Sequence, residues 1–186
     1  MLKSLLQKAM LSAAVAAVAA ACAVPLVATA QTMNSPAASV LNKADQKIVA
    51  GMAQANMAEV EAGKLALANA QSAEVKAYAQ QMIDDHTKAL ANVTTLATNK
   101  GVALPTDVDA KHKAMAAKLS KLKGEKFDRM YMQQAGVNDH KQVHAKLKKD
   151  AATAKDPDVK ALAAKMMPTV EEHLHKASAK PNQAAK

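Results

Sequence analysis

Apolar residues recur three and four positions apart over most of the chain from residue 43 onward, which is the period of a helix with one buried face. The intervening residues are mainly helix formers such as Ala, Lys, Gln and Glu. The pattern predicts a short helix that ends near residue 122 and four long helices, at about residues 43–70, 72–100, 125–154 and 158–177.

Residues that start and stop helices lie between these runs. Ser72 is a suitable N-cap for the second helix, and Thr106 or Asp107 can cap the short helix. Gly101 and Gly124 are typical of helix C-termini, because glycine readily adopts the left-handed conformation that ends a helix. We therefore expect discrete helices joined by brief connections.

A weak internal repeat indicates how the helices are arranged. The segment Glu74–Met82 (EVKAYAQQM) is similar to Asp158–Met166 (DVKALAAKM), and each begins the second helix of a predicted hairpin. Two related hairpins are the plan of ferritin-like proteins. The expected fold is therefore all-α: a ferritin-like four-helix bundle of two helical hairpins, with a short extra helix in the connection.

Composition supports helices and excludes several classes of protein. The chain has no Trp, two Tyr and one Phe, and its 5 Gly and 6 Pro are too few for a sheet with many tight turns. It contains no Gly-rich phosphate loop, no nucleophile elbow and no Cys/His pair. Phosphoryl-transfer and acyl-transfer enzymes therefore have little support, and no catalytic residue is predicted.

The first 30 residues have the three zones of a Sec-type signal peptide. Lys3 and Lys8 precede an apolar run from residue 9 to residue 27, and Ala28-Thr29-Ala30 forms a small-x-small cleavage site. The predicted location is the periplasm, with outer-membrane association left open. Two alternatives are a permanent membrane anchor and lipidation at Cys22 instead of cleavage after Ala30.

Cleavage would leave a flexible leader at residues 31–42, the bundle at residues 43–178 and a disordered tail at residues 179–186. It would remove two of the 25 Lys and Arg residues and none of the 16 acidic ones, so the formal net charge falls from +9 to +7. An exported chain without aromatic residues among its lysines does not favour nucleic acid as a partner. Association with an anionic envelope surface stays open.

We expect His112, in the Lys-rich short helix, to be exposed.

Each long helix carries an acidic residue or a histidine on its otherwise apolar face. In the fourth helix of the chain, this face includes Met130 and Val137. Buried polar groups cost free energy unless they have partners, and within each hairpin the polar residues lie within about two turns of the same level. We therefore predict a central polar layer formed by Glu59, His86, His140, His144 and His173.

Imidazole and carboxylate groups together suit iron, manganese, zinc or copper. His140 and His144 are four residues apart and lie on one side of their helix. The di-iron pattern requires a Glu three residues before the His of the second helix, but Ile83 occupies that position before His86, so the pattern is incomplete. The layer is either a transition-metal site or an ordinary network of partnered Glu and His side chains.

Several short motifs lie in order along the helical region: Asp45, Glu59-x-x-x-Gly63-x-Leu65-Ala66, Val75-Lys-x-Tyr-Ala79-x-x-Met82-Ile-x-Asp85-His86-Thr87, Phe127-Asp128-x-x-Tyr131, His140 and Pro168-x-x-x-x-His173. Together they resemble the exported bacterial domain-of-unknown-function family 4142 over about residues 43–177. The resemblance implies an exported ferritin-like bundle of unestablished activity. It also implies that Glu59, His86, His140 and His173 occupy the family's recurrent polar positions.

Two functional hypotheses follow. In the first, the chain is an exported ferritin-like protein that binds a transition metal at the central Glu/His layer. In the second, it is a non-catalytic envelope stress or protein-interaction module whose layer is structural. The metal, the partner and the oligomeric state are not determined by the pattern.

Overall fold

The computed structural model describes residues 40–179, and every regular element in this part of the chain is helical. This confirms the all-α prediction. The predicted signal peptide at residues 1–30, most of the predicted leader and most of the predicted tail lie outside the described residues. The elements are α1 (Lys43–Asn69), α2 (Ala73–Asn99), α3 (Ala110–Leu119), α4 (Gly124–Tyr131), a π-helical segment (Met132–Asp139), α5 (His140–Thr153) and α6 (Pro157–Ser178).

The long helices pack mainly in sequential pairs. Residues 70–72 join α1 to α2 and residues 154–156 join α5 to α6, and the members of each pair pack along each other. α4, the π-helical segment and α5 follow one another without a break, while α2 contacts α6 and α1 contacts α3 and α4. None of the helices between residues 40 and 179 is both long enough and apolar enough to cross a membrane.

Apolar side chains form two separate clusters in the interior. One includes Val49, Val93, Leu147, Val159 and Val170, and the other includes Ala66, Met82, Leu119, Phe127 and Tyr131. Along each long helical stretch, buried polar residues separate the positions that belong to the two clusters; they include Glu59, His86, His140 and His173. Packing of the apolar faces therefore confines these polar groups to a middle layer.

Two carboxylates connect the helix pairs at their turns. Asp45, near the start of α1, accepts hydrogen bonds from the backbone N–H groups of Lys155 and Asp156 in the α5–α6 connection, the shortest at 2.8 Å. Asp128 of α4 accepts from the backbone N–H groups of Gln71 and Ser72, at 3.1 and 2.9 Å. Each connection thus presents its free N–H groups to a carboxylate of the other pair, and this fixes the relative height of the pairs.

Two local predictions need correction. The N-cap of the short helix is Asp109, not Thr106 or Asp107, and its side chain accepts from the backbone N–H of His112. Gly124 does not end the short helix, which ends at Leu119; it is the first residue of α4, with a φ of 60° that only glycine adopts freely.

The expected inward register of the fourth helix is also wrong before His140. Met130 and Val137 are only partly buried, whereas Phe127 and Tyr131 are fully buried. Nine positions of regular α-helix make about two and a half turns, which would place Tyr131 and His140 on opposite faces. The π-helical segment between them changes this phase, so both side chains face the interior.

Replacing Gly63 with alanine should destabilise the protein by about 1–3 kcal/mol, because the added Cβ would lie 2.8 Å from Cγ1 of Ile83 and 3.0 Å from the Ala79 carbonyl oxygen. Gly51→Ala is the matched control on the same helix, since its Cβ would meet only the Lys146 side chain at 3.5 Å. That variant should gain about 0.5–1 kcal/mol from reduced backbone entropy. Urea unfolding measures both, and equal effects at the two positions would contradict the close α1–α2 contact.

Candidate metal centre

Three buried histidines from three helices form a compact triangle. His86 lies on α2, His140 begins α5 and His173 lies on α6, and their exposed fractions are 5%, 2% and 0%. Their ring centroids are 5.6, 5.2 and 5.4 Å apart. One potential ligand nitrogen from each ring lies within 4.8 Å of the other two. This spacing suits coordination of a single ion by three imidazoles.

The hydrogen bonds of Asn56 determine which nitrogen of His86 is protonated. The Asn56 amide donates to the Met52 carbonyl oxygen at 2.7 Å, so its Oδ1 faces Nδ1 of His86 at 2.9 Å. Because Oδ1 can only accept, Nδ1 of His86 carries the proton. The other ring nitrogen, Nε2, is buried and has no hydrogen-bond partner. It is therefore free to bind a metal ion.

The π-helical segment orients His140. Nδ1 of His140 lies 2.8 Å from the carbonyl oxygen of Ala135, five residues earlier in the chain, and must donate to it. The unprotonated nitrogen is then Nε2. Many π-helical segments lie at functional sites. Here the segment orients the His140 ring and supplies the acceptor for its N–H group.

Asp85 fixes the third ring. Nε2 of His173 lies 3.0 Å from Oδ2 of Asp85 and donates its proton to that carboxylate. Nδ1 of His173 is then unprotonated and lies 3.4 Å from the unprotonated Nε2 of His140. Two lone pairs therefore face each other without a proton between them. A cation bound by both nitrogens would relieve this repulsion.

The imidazoles are neutral at neutral pH. Burial lowers the pKa of His86 to about 3 and that of His140 to about 4, with repulsion from neighbouring imidazoles adding to the effect on each. Burial also lowers the pKa of His173, although Asp85 opposes this shift. Neutral imidazole is the form that binds metals, so no proton has to be removed from these rings before an ion can bind.

Glu59 lies beside this triangle but is not one of its corners. The residue is 2% exposed, and neither carboxyl oxygen has a hydrogen-bond donor within bonding distance. Oε1 lies 3.6 Å from Nδ1 of His140, the nitrogen that carries the proton. Burial raises the pKa of Glu59 well above its ordinary value, and the charge of Asp139 raises it further.

The fifth residue of the sequence-predicted layer, His144, stands apart. It is half-buried on α5, one helical turn beyond His140, and is not a member of the group whose ligand atoms lie within 4.8 Å. The structure therefore brings together His86, His140 and His173, places Glu59 next to them and leaves His144 outside.

Sequence reasoning missed the residues that orient the rings. Asn56 lies on the buried face of α1, and Asp85 precedes His86 on α2 and reaches His173 on α6. A buried amide three residues before Glu59 was a usable signal. The pairing of Asp85 with a ring 88 positions away was not visible, because it depends on how α2 and α6 pack.

A second polar cluster, formed by Asp109, Lys111, His112 and Asp139, lies where α3 contacts the end of the π-helical segment. His112 was expected to be exposed, but its two ring nitrogens contact Asp109 at 2.8 Å and Asp139 at 2.9 Å, and the side chain is buried. The hydrogen bond to Asp139 raises the pKa of His112. Burial would raise the pKa of Asp139, but hydrogen bonds from His112 and Lys111 lower it to about 2. These contacts fasten α3 to the last residue of the π-helical segment.

Two cavities border the histidines. One of about 30 Å³ is lined by Asn56, Glu59, His86 and His140, among others. A second, of about 170 Å³, extends between α2 and α6 from His86 to the exposed residues Lys88 and Lys165. The second cavity offers an ion a route from solvent to His86.

In the presence of a chelator, the free energy of unfolding should decrease as the pH falls from about 6.5 towards 4.5. His86 and His140 have a lower pKa in the folded protein than in the unfolded chain, so the unfolded state gains protons first. Each histidine should contribute about 2–3 kcal/mol of this loss. Urea unfolding at several pH values measures it.

The variants His86→Asn and His140→Asn should each show a smaller dependence on pH than the wild type over this range. His175→Asn is the control, because His175 is exposed on α6. If the free energy of unfolding of both His86→Asn and His140→Asn depends on pH as steeply as that of the wild type, these rings do not stay neutral in the folded protein.

The fold is similar to two solved structures of DUF305 proteins. A DUF305 fragment from Deinococcus radiodurans aligns with a TM-score of 0.66 and 16% identity, covering 74% of this chain and 95% of its own. A DUF305 protein from Streptomyces coelicolor, described as secreted, aligns with a TM-score of 0.62 and 16% identity, covering 73% and 88%. At this identity the similarity concerns the fold alone.

The sequence comparisons point to one family. No curated protein matches the chain. Residues 29–179 match the family described as domain of unknown function (DUF4142), which confirms the resemblance predicted from the motifs.

Proposed function

The chain belongs to the DUF4142 family, and we propose that it is an exported, ferritin-like four-helix bundle protein that binds one transition-metal ion through His86, His140 and His173. The observation that carries this proposal is the contact between Nε2 of His140 and Nδ1 of His173, 3.4 Å apart. Both nitrogens are unprotonated because the other nitrogen of each ring donates to Ala135 or Asp85.

The surroundings of the triangle match those of known metal-binding histidines. Such a histidine usually donates its second ring N–H to a carboxylate or a backbone carbonyl, which fixes the tautomer and the ring orientation. Here the acceptors are a carboxylate from Asp85, a carbonyl from Ala135 and the side-chain carbonyl of Asn56. All three rings therefore have a partner on the side away from the triangle.

The donor set narrows the identity of the ion. Three neutral imidazoles suit zinc, copper, nickel and iron, whereas manganese and magnesium prefer oxygen ligands. A di-iron centre needs several bridging carboxylates, and Glu59 is the one carboxyl among the five residues predicted to form the layer. We therefore propose a mononuclear site, with zinc and copper as the first ions to test and iron after them.

The location and the partners are part of the same proposal. The predicted signal peptide supports export, and one structural relative is described as secreted. Exposed lysines on α3 and α5, such as Lys118 and Lys148, support contact with an anionic envelope surface. The proposed role is to hold a metal ion, and no catalytic step is assigned.

The purified protein without an affinity tag should bind one equivalent of Co(II) or Zn(II). Binding should raise the melting temperature, because the ion binds the folded state. His140→Ala and His173→Ala should each weaken binding by more than about 100-fold, beyond the 10–100-fold typical of losing an outer partner. Isothermal titration and elemental analysis measure affinity and stoichiometry.

Two further variants separate the metal site from a structural polar layer. His144→Ala should retain full binding, because His144 lies outside the triangle. Asp85→Asn should weaken binding by about 10–100-fold while leaving the stoichiometry at one. If the wild type binds no ion at micromolar concentration, or if binding survives loss of both His140 and His173, the layer is structural and the alternative role as an envelope interaction module stands.

A further inference from the structure

Several buried polar atoms, including some in and beside the histidine triangle, lack hydrogen-bond partners. Within residues 40–179, the buried side-chain atoms that lack a hydrogen-bond partner, besides the two facing nitrogens of His140 and His173, are Nε2 of His86, both carboxyl oxygens of Glu59 and the hydroxyl oxygen of Tyr131. Burial and then the Glu59 carboxylate raise the pKa of Tyr131. A metal ion at the triangle would satisfy His86 but not Glu59, whose pKa is raised by burial and by its other polar neighbour, the Asp139 carboxylate.

The cavity next to Glu59 is large enough for a small ligand. Its volume of about 30 Å³ exceeds the roughly 10–15 Å³ that one water molecule needs. Glu59, His86 and His140 all line it, so it touches two of the three proposed metal ligands and the unpartnered carboxyl group. The other polar residues that line it already have partners: Asn56 bonds to Met52 and His86, and Lys146 donates to Asp150 at 2.6 Å.

Glu59 is placed as a neighbour of a metal-bound ligand and not as a ligand itself. Its Oε1 atom is close to the protonated nitrogen of His140, on the side that binds Ala135 and not on the side that faces His173. Three protein ligands with a vacant fourth position distinguish reactive metal sites from closed structural ones, in which the protein supplies four.

We propose that the fourth coordination position of the ion is taken by a water-sized exogenous ligand, which occupies this cavity and forms a hydrogen bond with Glu59. This inference rests on the proposed metal site. The ligand class is water or a small anion of up to about three heavy atoms, because the cavity admits nothing larger. The cavity next to Glu59 thus admits small molecules and excludes organic substrates of ordinary size.

The test uses the full mature protein loaded with one equivalent of Co(II), whose visible absorption reports its coordination, and azide as the probe ligand. Azide should change the Co(II) spectrum saturably, with one azide bound for each metal ion. Glu59→Leu should keep Co(II) affinity within a few-fold but weaken azide binding by at least about tenfold, the loss of one good hydrogen bond. Glu59→Gln should bind azide within a few-fold of wild type.

Glu61→Leu is the matched control, since Glu61 is exposed on the same helix and undergoes the same chemical change. It should behave as wild type. Helical circular dichroism and the melting temperature establish that each variant is folded, and the wild-type and Glu59→Gln measurements stand even if Glu59→Leu does not fold.

Three results would overturn the inference. A Co(II) spectrum that azide does not change would mean that the protein fills the fourth position, while the metal site itself would stand. Loss of Co(II) binding in folded Glu59→Leu would make Glu59 a direct ligand. Equal azide affinity in Glu59→Leu and wild type would remove Glu59 from the ligand's surroundings. Failure of wild type to bind Co(II) at all would instead reject the proposed metal site.

Discussion

Two imidazole nitrogens that both lack a proton, Nε2 of His140 and Nδ1 of His173, face each other across 3.4 Å in a nearly dry interior. The single N–H group of each ring donates a hydrogen bond to an acceptor on the side away from the other ring. Burial lowers the pKa of both rings, so neither binds a second proton near neutral pH. Folding of the apolar clusters on either side of this layer therefore brings together groups that repel each other. Such an arrangement is understandable if the folded protein accommodates a cation there, since the ion converts the repulsion into coordination.

The π-helical segment joins α4 to α5 and sets the direction in which the side chains on either side of it point. In a regular α-helix, Tyr131 and His140 would face opposite sides, and one of the two could not be buried. The changed phase allows Tyr131 to enter the apolar cluster that contains Phe127 and Met82, while His140 enters the polar layer. The same segment supplies the Ala135 carbonyl that holds His140, so the irregular backbone both admits the ring and fixes its tautomer.

Rigid connections between the helix pairs make the triangle possible. His86 and His173 belong to different pairs, and a shift of one helical turn between the pairs would separate them by about 5 Å. Asp45 and Asp128 prevent such a shift, because each carboxylate accepts the free backbone N–H groups of the opposite connection. The candidate site thus depends on hydrogen bonds at both ends of the molecule as well as on its own residues.

The helical segments, their approximate limits and the presence of polar residues on buried faces were predictable from the chain alone, because they depend on periodicity and on capping residues that are local in sequence. The family was recognisable for the same reason, since its motifs are short. The grouping of three histidines without His144, the outer partners Asn56 and Asp85, and the burial of His112 were not predictable. These features depend on the phase change in the π-helical segment and on the relative height of the helix pairs, which arise from contacts between residues far apart in sequence.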